Sequence, residues 1–143
     1  MSRLLRGWSA ILIIIAGIAP AKADVAPQDR DAIRAVIEGQ LEAIRRDDDV
    51  KAFSFASPQI QTTFKDPATF MAMVRGGYLP VYRPREVEFR ELVELRGQPT
   101  QVVLLVGPDN DVVTAYYFMQ KQPDGVWRID GCVLGPARGD RAT

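Results

Sequence analysis

The sequence predicts an α+β fold in which N-terminal helices pack on an antiparallel sheet of about four strands. Two observations predict it. Apolar residues recur at spacings of three and four as far as about residue 77, and from Tyr82 onward the spacing changes to two. Three clusters of turn-forming residues then divide the second half into short runs, and short links favour antiparallel neighbours. Helices followed by strands are typical of the α+β class.

Residues 1–23 have the features of a cleavable secretory signal. Arg3 and Arg6 provide a positive start, an apolar run follows at residues 9–19, and the Ala-Lys-Ala sequence at 21–23 matches the small-residue pattern before a signal-peptidase cut. An uncleaved membrane anchor is the alternative, but a spanning helix needs about 20 apolar residues. The sequence therefore predicts cleavage after residue 23, and a periplasmic or secreted protein without membrane association.

The remaining chain fits one domain with a weak negative charge. Without Arg3, Arg6 and Lys22, the 18 basic residues fall to 15 against 18 acidic residues, a net charge of −3. A domain with this charge has no overall positive electrostatic potential that would attract a phosphate backbone, so nucleic acid is not an expected partner. A single domain is predicted over residues 24–136, with a frayed tail at 137–143.

The cysteine and histidine content argues against metal chemistry. The chain has one cysteine and no histidine, so it lacks the usual ligands for zinc or copper, and it cannot form an internal disulfide. The acidic run at 47–49 lacks the glycine and the distant glutamate of a calcium loop. No metal and no cofactor are predicted. Cys132 is expected to be a small buried residue in a strand, with an intersubunit disulfide or a reactive thiol as alternatives.

The first helix is predicted over residues 27–46. Pro27 stands where the helix begins, and an apolar stripe at helical spacing faces away from the charged residues. Gln40 lies on or beside this stripe. Its amide either looks into a cavity or satisfies a buried backbone group.

Three short helical pieces are predicted next. The first covers residues 51–56. The second and third begin with a capping residue followed by proline, at Ser57-Pro58 and Asp66-Pro67, and Gly76-Gly77 ends the last.

Four strands are predicted over residues 86–95, 100–106, 112–121 and 126–134. The breaks between them are at 97–99, 107–110 and 123–125. The two middle strands are apolar on both faces. The helices can cover one face, and the other must meet a second subunit, the curl of the sheet itself or a cavity.

Several segments together resemble an uncharacterised bacterial family, domain of unknown function 4864. The resemblance rests on residues 40–44 (Gln-Leu-Glu-Ala-Ile), 48–49, 55–58 (Phe-Ala-Ser-Pro), 70–74 and 127–134 (Trp-Arg-Ile-Asp-Gly-Cys-Val-Leu), and it covers about residues 29–136. The order of elements also resembles the nuclear transport factor 2-like (cystatin-like) fold. That resemblance implies a strongly curved sheet and a conical pocket between the first helix and the concave sheet face.

Some proteins with this fold are isomerases or cyclases, and others only bind a ligand or a protein. Enzymatic relatives commonly place an aspartate, a histidine or a tyrosine in the pocket, and this chain has no histidine. An isomerase-like proton shuttle would need a carboxylate with a raised pKa and a phenol donor. The candidates by residue type are Asp130, Glu91, Tyr116 and Tyr117.

Each candidate has a structural alternative. Glu91 is in phase with apolar Phe89 and Val93, but a bulge near Arg90 would turn Leu92 inward and leave Glu91 in water.

Asp130 could instead pair with an arginine on a neighbouring strand. Tyr116 and Tyr117 must point to opposite faces, so at most one of them can line a given pocket.

The loop at residues 75–85 gathers three arginines and two tyrosines. Guanidinium groups fit carboxylates and phosphates, so this loop could form a mouth for an anionic or aromatic ligand. Arginines that are simply solvated are the alternative.

The preferred functional hypothesis is an exported, non-catalytic module that binds a small apolar or anionic ligand or a partner protein. The alternative is a small-molecule isomerase or dehydratase of the ketosteroid-isomerase kind. No catalytic residue is assigned, and a homodimer is possible. The candidate pocket or ligand-binding residues are Gln40, Tyr78, Tyr82, Arg83, Glu91, Tyr116 and Asp130.

Overall fold

The computed structural model describes residues 21–137 and confirms the α+β prediction. Five helices precede four strands: α1 (Pro27–Arg45), α2 (Asp49–Ser54), α3 (Pro58–Phe64), α4 (Pro67–Gly77), α5 (Leu79–Tyr82), β1 (Glu86–Leu95), β2 (Gln98–Val106), β3 (Val112–Lys121) and β4 (Trp127–Pro136). Most of the predicted signal and all but the first residue of the predicted tail lie outside the described residues.

The sheet is antiparallel throughout and has the order β1-β2-β3-β4. Because β1 and β4 are its two ends, the sheet is open, which is consistent with a cone-like fold. Arg96 and Gly97 have φ values of 53° and 74° and join β1 to β2 in a two-residue turn, the hairpin type that requires positive φ at both positions. This turn is shorter than predicted, so β2 begins at Gln98 rather than Thr100.

Two bulges interrupt the ladders. In β1 the register shifts between Phe89 and Leu92, so that Leu92 is 4% exposed while Glu91 is exposed to solvent. This is the bulge alternative predicted from the sequence. In β4 the shift opposite Phe118 and Met119 makes Asp130 an extra residue without a partner in the β3 ladder. Bulges bend the strands that carry them, so β1 and β4 are both bent at these positions.

The core lies between α1, α4 and the helix-facing side of the sheet. Ile33, Ile37 and Ile44 of α1 are fully buried and belong to the same apolar cluster as Val103 and Tyr117 of the middle strands. The predicted apolar stripe therefore faces the sheet. Burying such side chains is the main favourable contribution to folding.

Side-chain caps fix where the short helices begin. Ser57 Oγ accepts a hydrogen bond from the Ile60 amide, and Asp66 Oδ1 accepts one from the Thr69 amide, which confirms both predicted start signals. The prediction was wrong for α2, because Asp48 caps it and it begins at Asp49 instead of Lys51. It also missed α5, a four-residue helix in the predicted loop.

The segment before α1 pairs with the edge of β1. The Ala23 amide donates to the Leu92 carbonyl at 3.1 Å, and the Ala23 carbonyl accepts from Arg30 Nη2 at 2.9 Å. Ala23 is 3% exposed, so cleavage after it would remove a buried contact from this edge.

No helix within residues 21–137 combines the length and apolar character that crossing a membrane requires.

Candidate functional site

A cavity of about 300 Å³ lies between the helices and the sheet face that packs against them. This volume is at the lower end of the range of small-molecule pockets, roughly 300–1,000 Å³. Its wall is formed mainly by apolar side chains from α1, α3, α4 and β4, including Ile44, Ile60, Phe64, Phe70, Met73 and Ile129.

Aromatic packing holds one side of the cavity in place. The rings of Phe64 and Phe70 meet edge to face with their centroids 5.7 Å apart, and Phe53 packs on Phe70 at 5.5 Å. Such pairs are favourable beyond the area they bury. The α3–α4 wall is therefore held by contacts between helices, and Ile60 and Met73 remain half-buried beside it.

Two of the polar residues at the cavity already bond to the backbone. Gln40 is 4% exposed, and its amide donates to the Ala52 carbonyl at 3.2 Å. The Tyr78 hydroxyl donates to the Cys132 carbonyl at 3.0 Å. Both predicted residues line the cavity. Gln40 thus combines the two alternatives left open by the sequence, since it borders a cavity and satisfies a buried backbone group.

Tyr117 differs from these residues because its hydroxyl is buried without a hydrogen-bond partner among residues 21–137. It pairs with Cys132 across β3 and β4, and both residues line the cavity. Burial raises the pKa of Tyr117 well above its ordinary value, and the neighbouring Cys132 thiol adds to this rise. The thiol lies near the hydroxyl but makes no hydrogen bond of normal geometry with it.

Burial also raises the pKa of the Cys132 thiol to about 12, against a smaller lowering by the Tyr117 hydroxyl. Both groups therefore keep their protons at neutral pH. The lining residues within the described part of the chain include no carboxylate, guanidinium or ammonium group. The cavity is thus an uncharged site with few polar groups.

Asp130 does not line the cavity, and its partners differ from the predicted arginine. Its carboxylate accepts from Ser57 Oγ at 2.7 Å and from Gln98 Nε2 at 3.0 Å. Because Ser57 is fully buried and caps α3, this carboxylate joins the start of α3 to the bulge in β4. Arg128, on the same strand, donates to the Ser54 carbonyl instead.

Glu91 and Tyr116 also lie away from the cavity lining. Glu91 is exposed beside the β1 bulge. Tyr116 is half-buried and pairs with Val102 and Val133, on the opposite sheet face from Tyr117, as predicted. Val133 on that outer face is 48% exposed. A homodimer across this face stays a prediction.

Tyr82 and Arg83 belong to a surface group that we call the Asp47 cluster, formed by Asp47, Arg75, Tyr82 and Arg83. The Asp47 carboxylate accepts from the Tyr82 hydroxyl at 2.7 Å, from Arg83 Nη2 at 2.8 Å and from Arg75 Nη2 at 3.4 Å. The hydrogen bond from Tyr82 is the main reason that the pKa of Asp47 is lowered, and the two arginines lower it further.

Arg83 also connects the Asp47 cluster to α1 by a hydrogen bond. Its Nη1 donates to the Ile44 carbonyl at 3.1 Å, close to the C-terminus of the helix, where a positive charge is favourable. Its guanidinium lies 3.8 Å from the centroid of the Tyr82 ring. Arg75 and Arg83 thus both bond to Asp47 within the chain, and anion binding by this loop stays a prediction.

Comparison with known protein families shows which family this chain belongs to. The profile of the family described as domain of unknown function 4864 matches residues 26–142. The chain belongs to this family. A comparison with curated proteins and one with solved structures both give no match. The profile match confirms the resemblance found in the sequence. Membership in domain of unknown function 4864 assigns no activity to the cavity.

Sequence reasoning missed most of the cavity wall in this family member. Ile60, Phe64, Phe70 and Met73 have the spacing of ordinary core residues, and nothing local distinguishes a cavity wall from a filled core. Tyr117 was named as a candidate by residue type, but the sequence did not show whether it or Tyr116 lines the cavity. Within residues 21–137, no cluster of cysteine, aspartate or glutamate side chains could hold a metal ion.

Proposed function

We propose that this protein is a non-catalytic binding module whose cavity holds a small apolar molecule. The apolar wall between α1, α3, α4 and the sheet carries this proposal. Small-molecule sites are concave and mostly apolar, with a few polar groups that orient the ligand. The cavity has this composition, with Tyr117 as the polar group that remains available.

The electrostatics of the cavity favour an uncharged ligand and binding rather than proton transfer. No cationic side chain among the described lining residues can compensate the charge of a buried anion, which is costly to desolvate. A general acid or base works best with a pKa near the working pH. The raised pKa values of Tyr117 and Cys132 move both groups away from that range. The isomerase alternative would need a carboxylate at the cavity, and Asp130 and Glu91 lie outside its lining.

The proposal is tested with the uncharged fluorescent probe N-phenyl-1-naphthylamine. Ile60→Trp and Met73→Trp each place a large side chain at the half-buried wall and are expected to weaken probe binding about 10-fold or more, because they occupy the ligand's space. Val133→Trp adds the same side chain on the outer sheet face and serves as the matched control. Circular dichroism verifies that each variant is folded.

The wild type and Val133→Trp should bind the probe with equal affinity. Absence of probe binding to the wild type would overturn the proposal. So would equal affinities in the control and in both wall variants, because the probe would then bind elsewhere.

We also propose that the protein works outside the cytoplasm, as a periplasmic or secreted protein. The positive start, the apolar run and the small residues at positions 21 and 23 support this location. N-terminal sequencing of the protein from cell fractions tests it, with Asp24 expected as the first residue of the exported form. Recovery of the intact chain in the cytosol would contradict the proposal.

A further inference from the structure

We infer that the molecule bound in the cavity carries an uncharged oxygen, of the ketone or ester kind, that accepts a hydrogen bond from the Tyr117 hydroxyl. This inference rests on the proposed binding function and adds the chemical class of the ligand. It concerns the one buried side-chain oxygen or nitrogen that has no hydrogen-bond partner within residues 21–137.

The isolation of this hydroxyl is the first step of the argument. Tyr117 is 1% exposed, yet its hydroxyl has no hydrogen-bond partner in the described part of the chain. Buried polar groups in native proteins are nearly always hydrogen-bonded, and an unpaired one is unfavourable. A ligand that supplies the missing acceptor therefore gains an interaction that the protein alone does not satisfy.

The neighbouring polar groups are already bonded to the backbone, unlike Tyr117. The Tyr78 hydroxyl donates its only hydrogen to the Cys132 carbonyl, and Gln40 donates one of its two amide hydrogens to the Ala52 carbonyl. The Cys132 thiol lies on the strand opposite Tyr117 but is a weak hydrogen-bonding group. We expect the Cys132 side chain to rotate so that a ligand oxygen reaches the Tyr117 hydroxyl.

The ligand atom that bonds to the Tyr117 hydroxyl must be a hydrogen-bond acceptor without a negative charge. A phenol with a raised pKa stays protonated and donates its hydrogen. A carboxylate or phosphate would also accept this bond, but its remaining charge would have no cation among the described lining residues. A neutral carbonyl oxygen satisfies the hydroxyl without bringing in a charge.

Benzophenone and diphenylmethane test the inference, because they differ only in a carbonyl in place of a methylene group. Dissociation constants are measured by displacement of N-phenyl-1-naphthylamine from the wild type, Tyr117→Phe and Tyr116→Phe. The two probes differ in hydrophobicity, so the informative quantity is the ratio of their constants and its change between variants. Tyr117→Phe removes only the hydroxyl and is expected to reduce the preference for benzophenone about 3- to 10-fold.

Tyr116→Phe removes the same group on the opposite sheet face and should leave the ratio unchanged. Cys132→Ala keeps the Tyr117 hydroxyl and should retain or increase the preference. An unchanged ratio in Tyr117→Phe, or loss of the preference in Cys132→Ala, would overturn the inference. Failure of both probes to bind the wild type would instead count against the cavity as a binding site, which separates this inference from the proposed function.

Discussion

The cavity and the Asp47 cluster are neighbours with opposite chemistry. Ile44 lines the cavity with its side chain, while its carbonyl accepts a hydrogen bond from Arg83 of the cluster. The cluster is exposed and rich in charge, and its hydrogen bonds close within the chain. The cavity is apolar, and its Tyr117 hydroxyl lacks a hydrogen-bond partner among the residues that the structure describes. We therefore take an unsatisfied polar group, rather than a polar composition, as the feature that suggests a binding site.

The largest expected contrast concerns thiol reactivity. With its pKa raised from 9.0 to about 12, Cys132 should react with iodoacetamide about 100-fold or more slowly in the native protein than in urea, because the thiolate is the nucleophile. Residue Cys132 as a whole is only half-buried, as its strand is at the sheet edge, but the thiol faces the cavity. Mass spectrometry follows the reaction. Arg85→Cys in a Cys132→Ala background provides an exposed thiol near the Asp47 cluster as a control. If Cys132 and this new cysteine reacted with iodoacetamide at equal rates in the native protein, the prediction would be wrong.

Truncation of one tyrosine in each region should also separate the two regions. Tyr117→Ala removes a fully buried ring and is expected to lower the free energy of unfolding by about 3–5 kcal/mol. Tyr82→Ala removes a half-buried ring at the surface and should cost less than about 1.5 kcal/mol. Urea denaturation measures both. Similar losses would show that the cluster contributes as much to stability as the core.

Removal of the hydroxyl alone should have opposite signs in the two regions. Tyr117→Phe deletes an unpaired buried group, and the free energy of unfolding is expected to rise by about 1 kcal/mol. Tyr82→Phe deletes the hydrogen bond to Asp47 and should lower stability slightly. Thermal and urea unfolding of the two variants check the signs. A destabilised Tyr117→Phe would mean that the hydroxyl has a partner in solution.

The smallest expected effect is the pH dependence of the Asp47 cluster. Because the pKa of Asp47 in the folded chain lies below its ordinary value of 3.8, the cluster stabilises the fold above that pH and ceases to do so as the pH falls through the lowered value. Asp47→Asn should therefore lower the melting temperature at pH 7 and have a smaller effect at pH 2. The difference should also shrink in about 1 M salt. A difference that is equal at both pH values would contradict the role of the carboxylate charge.

Much of the fold could be predicted from local sequence. The limits of β1 and β3 were predicted correctly, and the proline-containing starts of α3 and α4 were recognised from their capping residues. These features depend on side-chain spacing and on contacts within one turn of helix. The start of β2 and the helix α5 were missed, because Gln98 and Pro80 occur equally well in turns and their assignment depends on packing.

The candidate site was less predictable. Gln40 and Tyr78, two of the candidates from the sequence, line the cavity, whereas Tyr82 and Arg83 lie in the Asp47 cluster. Asp47 lies 36 residues before Arg83 and adopts a φ of 53°, neither of which the local sequence indicates.

The sequence by itself determined the order of elements, the two periodicities and hence the α+β class. These follow from the geometry of single helices and strands, which repeats over a few residues. Only the tertiary structure decided which polar groups find partners. The Tyr78 hydroxyl reaches a carbonyl 54 residues away, while the Tyr117 hydroxyl beside the same cavity has no partner between residues 21 and 137. Hydrogen bonds act over about 3 Å, so whether a group is satisfied depends on how distant segments meet.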